Sequence, residues 1–135
     1  LYRQAGSPAV TGTSTFPDLK DDWYADAVAW AQEAKVVIGD DKGLFRPDDD
    51  VTREEMVTML YRFAKTEAVA EDKLAAFPDA ASVADWAKDA MNWAVSTEIV
   101  NGSTHDDKVN YLDPTATALR CQAAAVACRY LALSK

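Results

Sequence analysis

The sequence predicts an all-α fold made of tandem helix–loop–helix repeats. Three observations predict it: segments recur along the chain in the same order, apolar residues recur at helical spacing within them, and strand signals are few.

The recurrence is the strongest of the three. Phe16-Pro17-Asp18 returns as Phe77-Pro78-Asp79. Trp23, Asp26, Ala27, Trp30 and Ala31 return as Trp86, Asp89, Ala90, Trp93 and Ala94, and Val36-Val37-Ile38-Gly39 returns at the same spacing as Ile99-Val100-Asn101-Gly102. After a longer second loop, Pro47 finds Pro114 and Arg53 finds Arg120. The length differences fall in loops, where a duplicated unit tolerates them.

Each element of a unit has a local reason. Trp23, Ala27, Trp30, Ala31 and Ala34 share one face of a helix, which predicts a first amphipathic helix. Gly39 and Gly43 punctuate the following loop and Pro47 helps to end it. Thr52 and Glu55 form a capping box, each side chain satisfying a free N–H at the other's end. The stripe Met56, Val57, Leu60, Phe63, Ala64 continues as the second helix. The second unit repeats the plan with Trp86, Ala90, Trp93 and Ala94, then Ala123, Val126, Ala127, Tyr130 and Leu131. Leu119 stands where Thr52 stood, so Thr115 or Thr117 is expected to start that helix. Trp30 and Trp93 are expected to be buried at equivalent places, as are Leu60 and Ala127. Val36-Val37-Ile38 is too short to build a sheet.

Leu1-Tyr2-Arg3 resembles Leu60-Tyr61-Arg62, and Ala5 falls where Ala64 does, so residues 1–6 read as the tail of a preceding repeat. Residues 7–15 are a linker, 16–65 a full repeat, 66–76 a linker with a short helical piece, and 77–135 a more divergent repeat. The chain opens on Leu1 without Met and reads as part of a longer protein. Repeats that share a core need about three units, so completion by an upstream repeat or by a second chain is expected.

Composition narrows the function. With 49% hydrophobic residues the chain can bury a core, and its net charge of -8 argues against nucleic acid and anionic membrane surfaces, which select clustered Lys and Arg. The longest apolar run, residues 123–128, is too short to insert in a membrane. Cys121 and Cys128, roughly 10.5 Å apart if helical, lie beyond the ~7 Å reach of a disulfide and read as buried free thiols. No metal site is expected: an EF-type loop counted from Asp48 puts Arg53 where Gly is needed and Met59 where Glu is needed. His105 is the sole histidine, which excludes a multi-histidine zinc site, and it stands alone in a loop, which argues against a histidine-based triad. Nothing singles out a carboxylate pair for glycoside hydrolysis. No cofactor and no enzymatic activity are expected.

The order Phe16-Pro17-Asp18, Trp23 to Ala31, Val37-Ile38-Gly39, Gly43-Leu44-Phe45-Arg46-Pro47 and Thr52-Arg53-Glu54-Glu55 resembles the S-layer homology repeat. The resemblance implies a pseudo-threefold helical bundle at the bacterial cell surface. It also implies a secreted, non-catalytic anchor whose grooves between repeats hold an anionic secondary cell-wall polysaccharide, often pyruvylated. It places the main binding role on Arg53 and, less directly, on Arg120, since the second unit reads Leu119-Arg120-Cys121-Gln122 and lacks the first loop's pattern. Trp23, Trp86, Gly39, Gly102, Glu55 and Gln122 complete the candidate set. The chemistry fits: a guanidinium fork meets a planar carboxylate with two parallel bonds, free N–H groups at a helix start attract an anion, and indoles offer flat faces to sugars. Structural roles stay open beside these. Arg53 could pair with Glu54 or Asp50, the tryptophans could be core, and the glycines could serve backbone geometry alone. The competing functional reading is a self-association module of a surface array that binds no glycan.

Overall fold

The computed structural model describes residues 1–134; Lys135, the expected end of the second repeat, lies outside the described residues. The fold is mostly helical. Helix α1 spans Ala25–Glu33, α2 Arg53–Ala64, α3 Lys88–Ser96 and α4 Arg120–Leu133, with single 3-10 turns at Leu74–Ala76, Ala80–Ser82 and Asp85–Ala87. One hairpin that the sequence did not announce pairs β1, Ser103–Thr104, antiparallel with β2, Asn110–Tyr111. Among the described residues no helix is long and apolar enough to cross a membrane.

The chain forms two compact units. The first holds Leu1–Asp49 with Arg62–Ala64, and the second holds Asp50–Tyr61 with the chain from Lys65 onward. In the first unit Phe16, Val28, Ala29, Val36 and Val37 are buried, and the Phe16 and Phe45 rings meet at 5.5 Å. Trp30 lies between two rings, Tyr2 at 5.6 Å and Phe63 at 6.0 Å. The linker is tied to α1 by Gln32, whose Oε1 accepts from Ser14 Oγ and the Thr15 N–H and whose Nε2 donates to Thr15 Oγ1.

The second unit has the denser core. Met91, Ile99 and Leu112 are fully buried, and Val57 nearly so; burying side chains of this size stabilises by about 1.5–3 kcal/mol each. Trp93 again has two aromatic neighbours, Tyr61 at 5.6 Å and Tyr130 at 6.4 Å. Here the linker is tied by Asn92, which donates to the Val69 and Glu71 carbonyls and accepts from the Lys73 N–H.

The two loops are built alike. The Asp18 carboxylate accepts the N–H groups of Phe45 and Arg46, and the Asp79 carboxylate accepts those of Leu112 and Asp113. Arg46 and Asp113 both adopt positive φ, as do Lys35 and Glu98 after the first helices. The Phe-Pro-Asp signature is thus a clasp for a loop distant in sequence.

Several expectations need correction. Trp23 stands before α1, in a turn held by Asp22, and is 83% exposed; Trp86 sits in a 3-10 turn ahead of α3 and is also exposed. The face that α1 buries is Val28 and Ala29, while Trp30 is half-buried rather than core. Helix α4 starts at Arg120, not at a threonine, because Gln122 Oε1 accepts the Leu119 N–H and so supplies the reciprocal half of a cap. Leucine offers no acceptor for the other half. Ala127 is exposed although its counterpart Leu60 is buried, and Cys121 and Cys128 are free thiols on the surface rather than in the core. Of α4 only Val126 is buried, since among the described residues α4 is covered along one side alone.

Candidate functional site

The Thr52-Arg53-Glu54-Glu55 segment opens α2 inside the second unit. The capping box forms as expected, with Glu55 Oε2 accepting the Thr52 N–H at 2.8 Å and Thr52 Oγ1 accepting the Glu55 N–H at 3.3 Å. Thr52 also bridges to Thr117, the Arg53 N–H donates to the Ala116 carbonyl, and the Glu54 N–H donates to the Pro114 carbonyl. The first N–H groups of α2 are therefore satisfied by the chain itself. The expected anion attraction by free N–H groups does not apply at this helix start.

Arg53 is buried, 8% exposed, and its Nε–H donates to the Leu112 carbonyl at 2.9 Å. Burial lowers its pKa, and the charges of Asp113 and Asp79 oppose that shift. A guanidinium titrates far above neutrality, so Arg53 stays charged. The structural pairing considered for it, with Glu54 or Asp50, is not formed: Glu54 instead accepts the Ala84 N–H.

A groove of about 210 Å³ lies over this arginine. Its polar lining is Arg53, Asn101, Gly102, Ser103, Gln122 and Arg129, and its apolar lining includes Met56, Val57, Met91, Ile99 and Val126. Gly102 has φ +83°, and a Cβ there would meet the Asn110 side chain at 2.7 Å and the Tyr111 carbonyl oxygen at 2.8 Å. Only glycine lets the hairpin close against the groove edge. Gly39 is alike in the first unit, where a Cβ would strike the Phe16 ring at 2.7 Å.

Of the expected site residues, the structure brings Arg53, Gly102 and Gln122 to one groove, although Arg53 lies far from the other two in the chain. Glu55 serves the cap. Arg120 and Trp86 are exposed and do not line the groove, and Trp23 and Gly39 belong to the first unit. Arg129 was missed. Its Nη1 donates to the Ile99 carbonyl at 3.0 Å, as Arg62 Nη1 donates to the Val36 carbonyl at 3.4 Å in the first unit. The register that sets Arg53 on Arg120 also sets Arg62 on Arg129, so the repeat itself held the signal.

The family model for the S-layer homology domain matches residues 15–57 and 76–106. The chain is 36% identical over 115 residues, 82% of its length, to an exoglucanase of Acetivibrio thermocellus, and 34% identical over 121 residues, 89% of its length, to the surface-layer 125 kDa protein of Lysinibacillus sphaericus. It is also 36% identical over 64 residues, 47% of its length, to a cellulosome-anchoring protein of Acetivibrio thermocellus. The matches cover 10%, 10% and 14% of those proteins, so the chain corresponds to a small part of each. With the family model matching more than half of the chain, the chain belongs to the S-layer homology domain family, a cell-surface anchoring module.

Proposed function

We propose that this module binds an anionic cell-wall polysaccharide, pyruvylated in the simplest case, in the groove over Arg53, and that it carries no catalytic activity of its own. The observation that carries the reading is the state of Arg53. It is buried, charged, oriented by one bond to the Leu112 carbonyl, and set in a groove with no Asp or Glu among its described lining residues. In a chain of net charge -8, such a patch favours an anion by local geometry, since more distant charges are largely screened beyond ~8 Å at physiological salt. Gln122 and Asn101 add amide groups suited to sugar hydroxyls.

The pairing of Arg53 with Gly102 supports repeats at 16–65 and 77–135 that make a site jointly. By the same rule Arg120 and Gly39 would each need a further repeat. Tyr2 on Trp30 repeats the geometry of Tyr61 on Trp93, which supports residues 1–6 as a repeat tail.

The test is co-sedimentation with intact cell wall and with wall stripped of its polysaccharide, followed by titration with a pyruvylated wall fragment. A charge-assisted bond at a buried site is worth about 1.5–3 kcal/mol, or roughly ten- to a hundredfold in affinity. Folded Arg53→Ala is expected to weaken binding by that factor, and Arg53→Lys to restore only part. Equal binding by wild type and folded Arg53→Ala would sink the reading. Self-association would then be favoured, because α4 leaves Ala124, Ala127, Cys128 and Leu131 exposed.

A further inference from the structure

We infer that Arg129 is a second ligand-binding cation of the groove, so that the saccharide it takes presents two anionic groups on adjoining sugars, one to Arg53 and one to Arg129. The inference rests on the polysaccharide reading of the same groove and specifies its substrate class.

Four observations carry it. First, Arg53 and Arg129 line one groove in which no described lining residue is acidic, the charges of Asp113 and Asp79 reaching Arg53 from outside that lining. Second, each gives one hydrogen bond to a backbone carbonyl, Leu112 for Arg53 and Ile99 for Arg129, at 2.9 and 3.0 Å. A guanidinium has five N–H donors, so each is oriented while most of its donors stay uncommitted. Third, the two differ in depth: Arg53 is buried and Arg129 is exposed, which places one at the floor and the other at the rim. Fourth, a groove of about 210 Å³ is smaller than the roughly 300–1,000 Å³ of pockets for larger ligands. It suits one sugar ring, whose acidic group Arg53 would hold. The rim cation then serves the next residue of the polymer. Arg62 repeats the carbonyl contact in the first unit, so the placement of Arg129 is a property of the repeat.

A purely structural Arg129 would tie only the Ile99 carbonyl just after α3. The experiment separates the two roles with three probes: a wall fragment carrying pyruvate ketals on neighbouring sugars, a monosaccharide with a single ketal, and the same wall fragment after mild acid removes its ketals. Calorimetric titration of Arg129→Gln against the two-ketal fragment is expected to show about a tenfold loss, with Arg129→Lys near wild type. Against the single-ketal sugar, Arg129→Gln is expected to change affinity less than about twofold. The ketal-free fragment is expected to bind wild type and Arg129→Gln equally weakly. These losses follow the general rule that rim charges tune recognition of a charged partner, and thermal melting of each variant shows that it is folded. If Arg53→Ala weakens binding while Arg129→Gln does not, this inference fails and the polysaccharide reading stands. If Arg129→Gln weakens the single-ketal sugar as much as the fragment, both arginines share one carboxylate and the two-anion inference is overturned. If neither variant affects any probe, both readings fail.

Discussion

The indole of Trp93 and the ring of Tyr61 lie 5.6 Å apart at an interplanar angle of 55°, and Tyr2 meets Trp30 at 5.6 Å and 52°. One aromatic joint is thus built twice, once in each compact unit. Trp93 is 6% exposed, whereas Trp30 is half-buried. Trp93→Ala is expected to cost about 3–5 kcal/mol of stability, and Trp30→Ala clearly less. Urea titration followed by circular dichroism checks the order, and an equal loss at both positions would contradict it.

Glycine at 102 is demanded twice, by φ +83° and by the Asn110 and Tyr111 atoms within 3 Å of any Cβ. Gly43 has φ +72° but open space around it. Gly43→Ala is expected to cost only the left-handed strain of about 1–2 kcal/mol. Gly102→Ala adds overpacking of about 1–3 kcal/mol and is expected to disturb the β1–β2 hairpin. Chemical denaturation of both variants gives the comparison.

The helix starts differ in capping. Thr52 and Glu55 exchange both bonds, while Gln122 serves Leu119 with no acceptor in return. Thr52→Ala is expected to destabilise by about 1 kcal/mol and Leu119→Thr to stabilise by a similar amount. Leu119 is already in extended backbone and is exposed, so the new hydroxyl meets no packing conflict. Differential scanning calorimetry would show the opposite shifts of melting temperature.

His105 reports the state of the hairpin. Its Nε2 lies 2.8 Å from Asp113 Oδ2, and its ring stacks on Tyr111 at 4.3 Å while the Tyr111 hydroxyl donates to Asp107. The hydrogen bond to Asp113 raises its pKa above the ordinary 6.5; desolvation opposes it, and the charges of Asp113, Asp107 and Asp79 add to the rise. A raised folded pKa contributes stability that is fully present below 6.5 and is lost as pH rises through the folded value. Proton NMR of the imidazole is expected to give a midpoint above 6.5 in wild type and a lower one in Asp113→Asn. A midpoint that does not move would remove the pair from the account.

Much of this protein was legible in its sequence. The repeated Phe-Pro-Asp and Trp segments established the duplication, the helical spacing of apolar residues established the α class, and Thr52 with Glu55 marked the start of α2. These signals are local: periodicity, capping and turn chemistry act within a few residues, so spacing alone reveals them.

The tertiary structure decided what local rules cannot. The N–H groups of Arg53 and Glu54 looked free in sequence, yet carbonyls of Ala116 and Pro114 claim them. Trp23 and Trp86 fit a helical stripe, yet the helices begin after them and both indoles face solvent. Arg53 reached Gly102 and Arg129 only because the second unit folds residues far apart in the chain into one groove. The physical reason is common to all three. Contacts between residues far apart in the chain depend on which surfaces fold against each other, and a residue's own spacing carries no record of its distant partner.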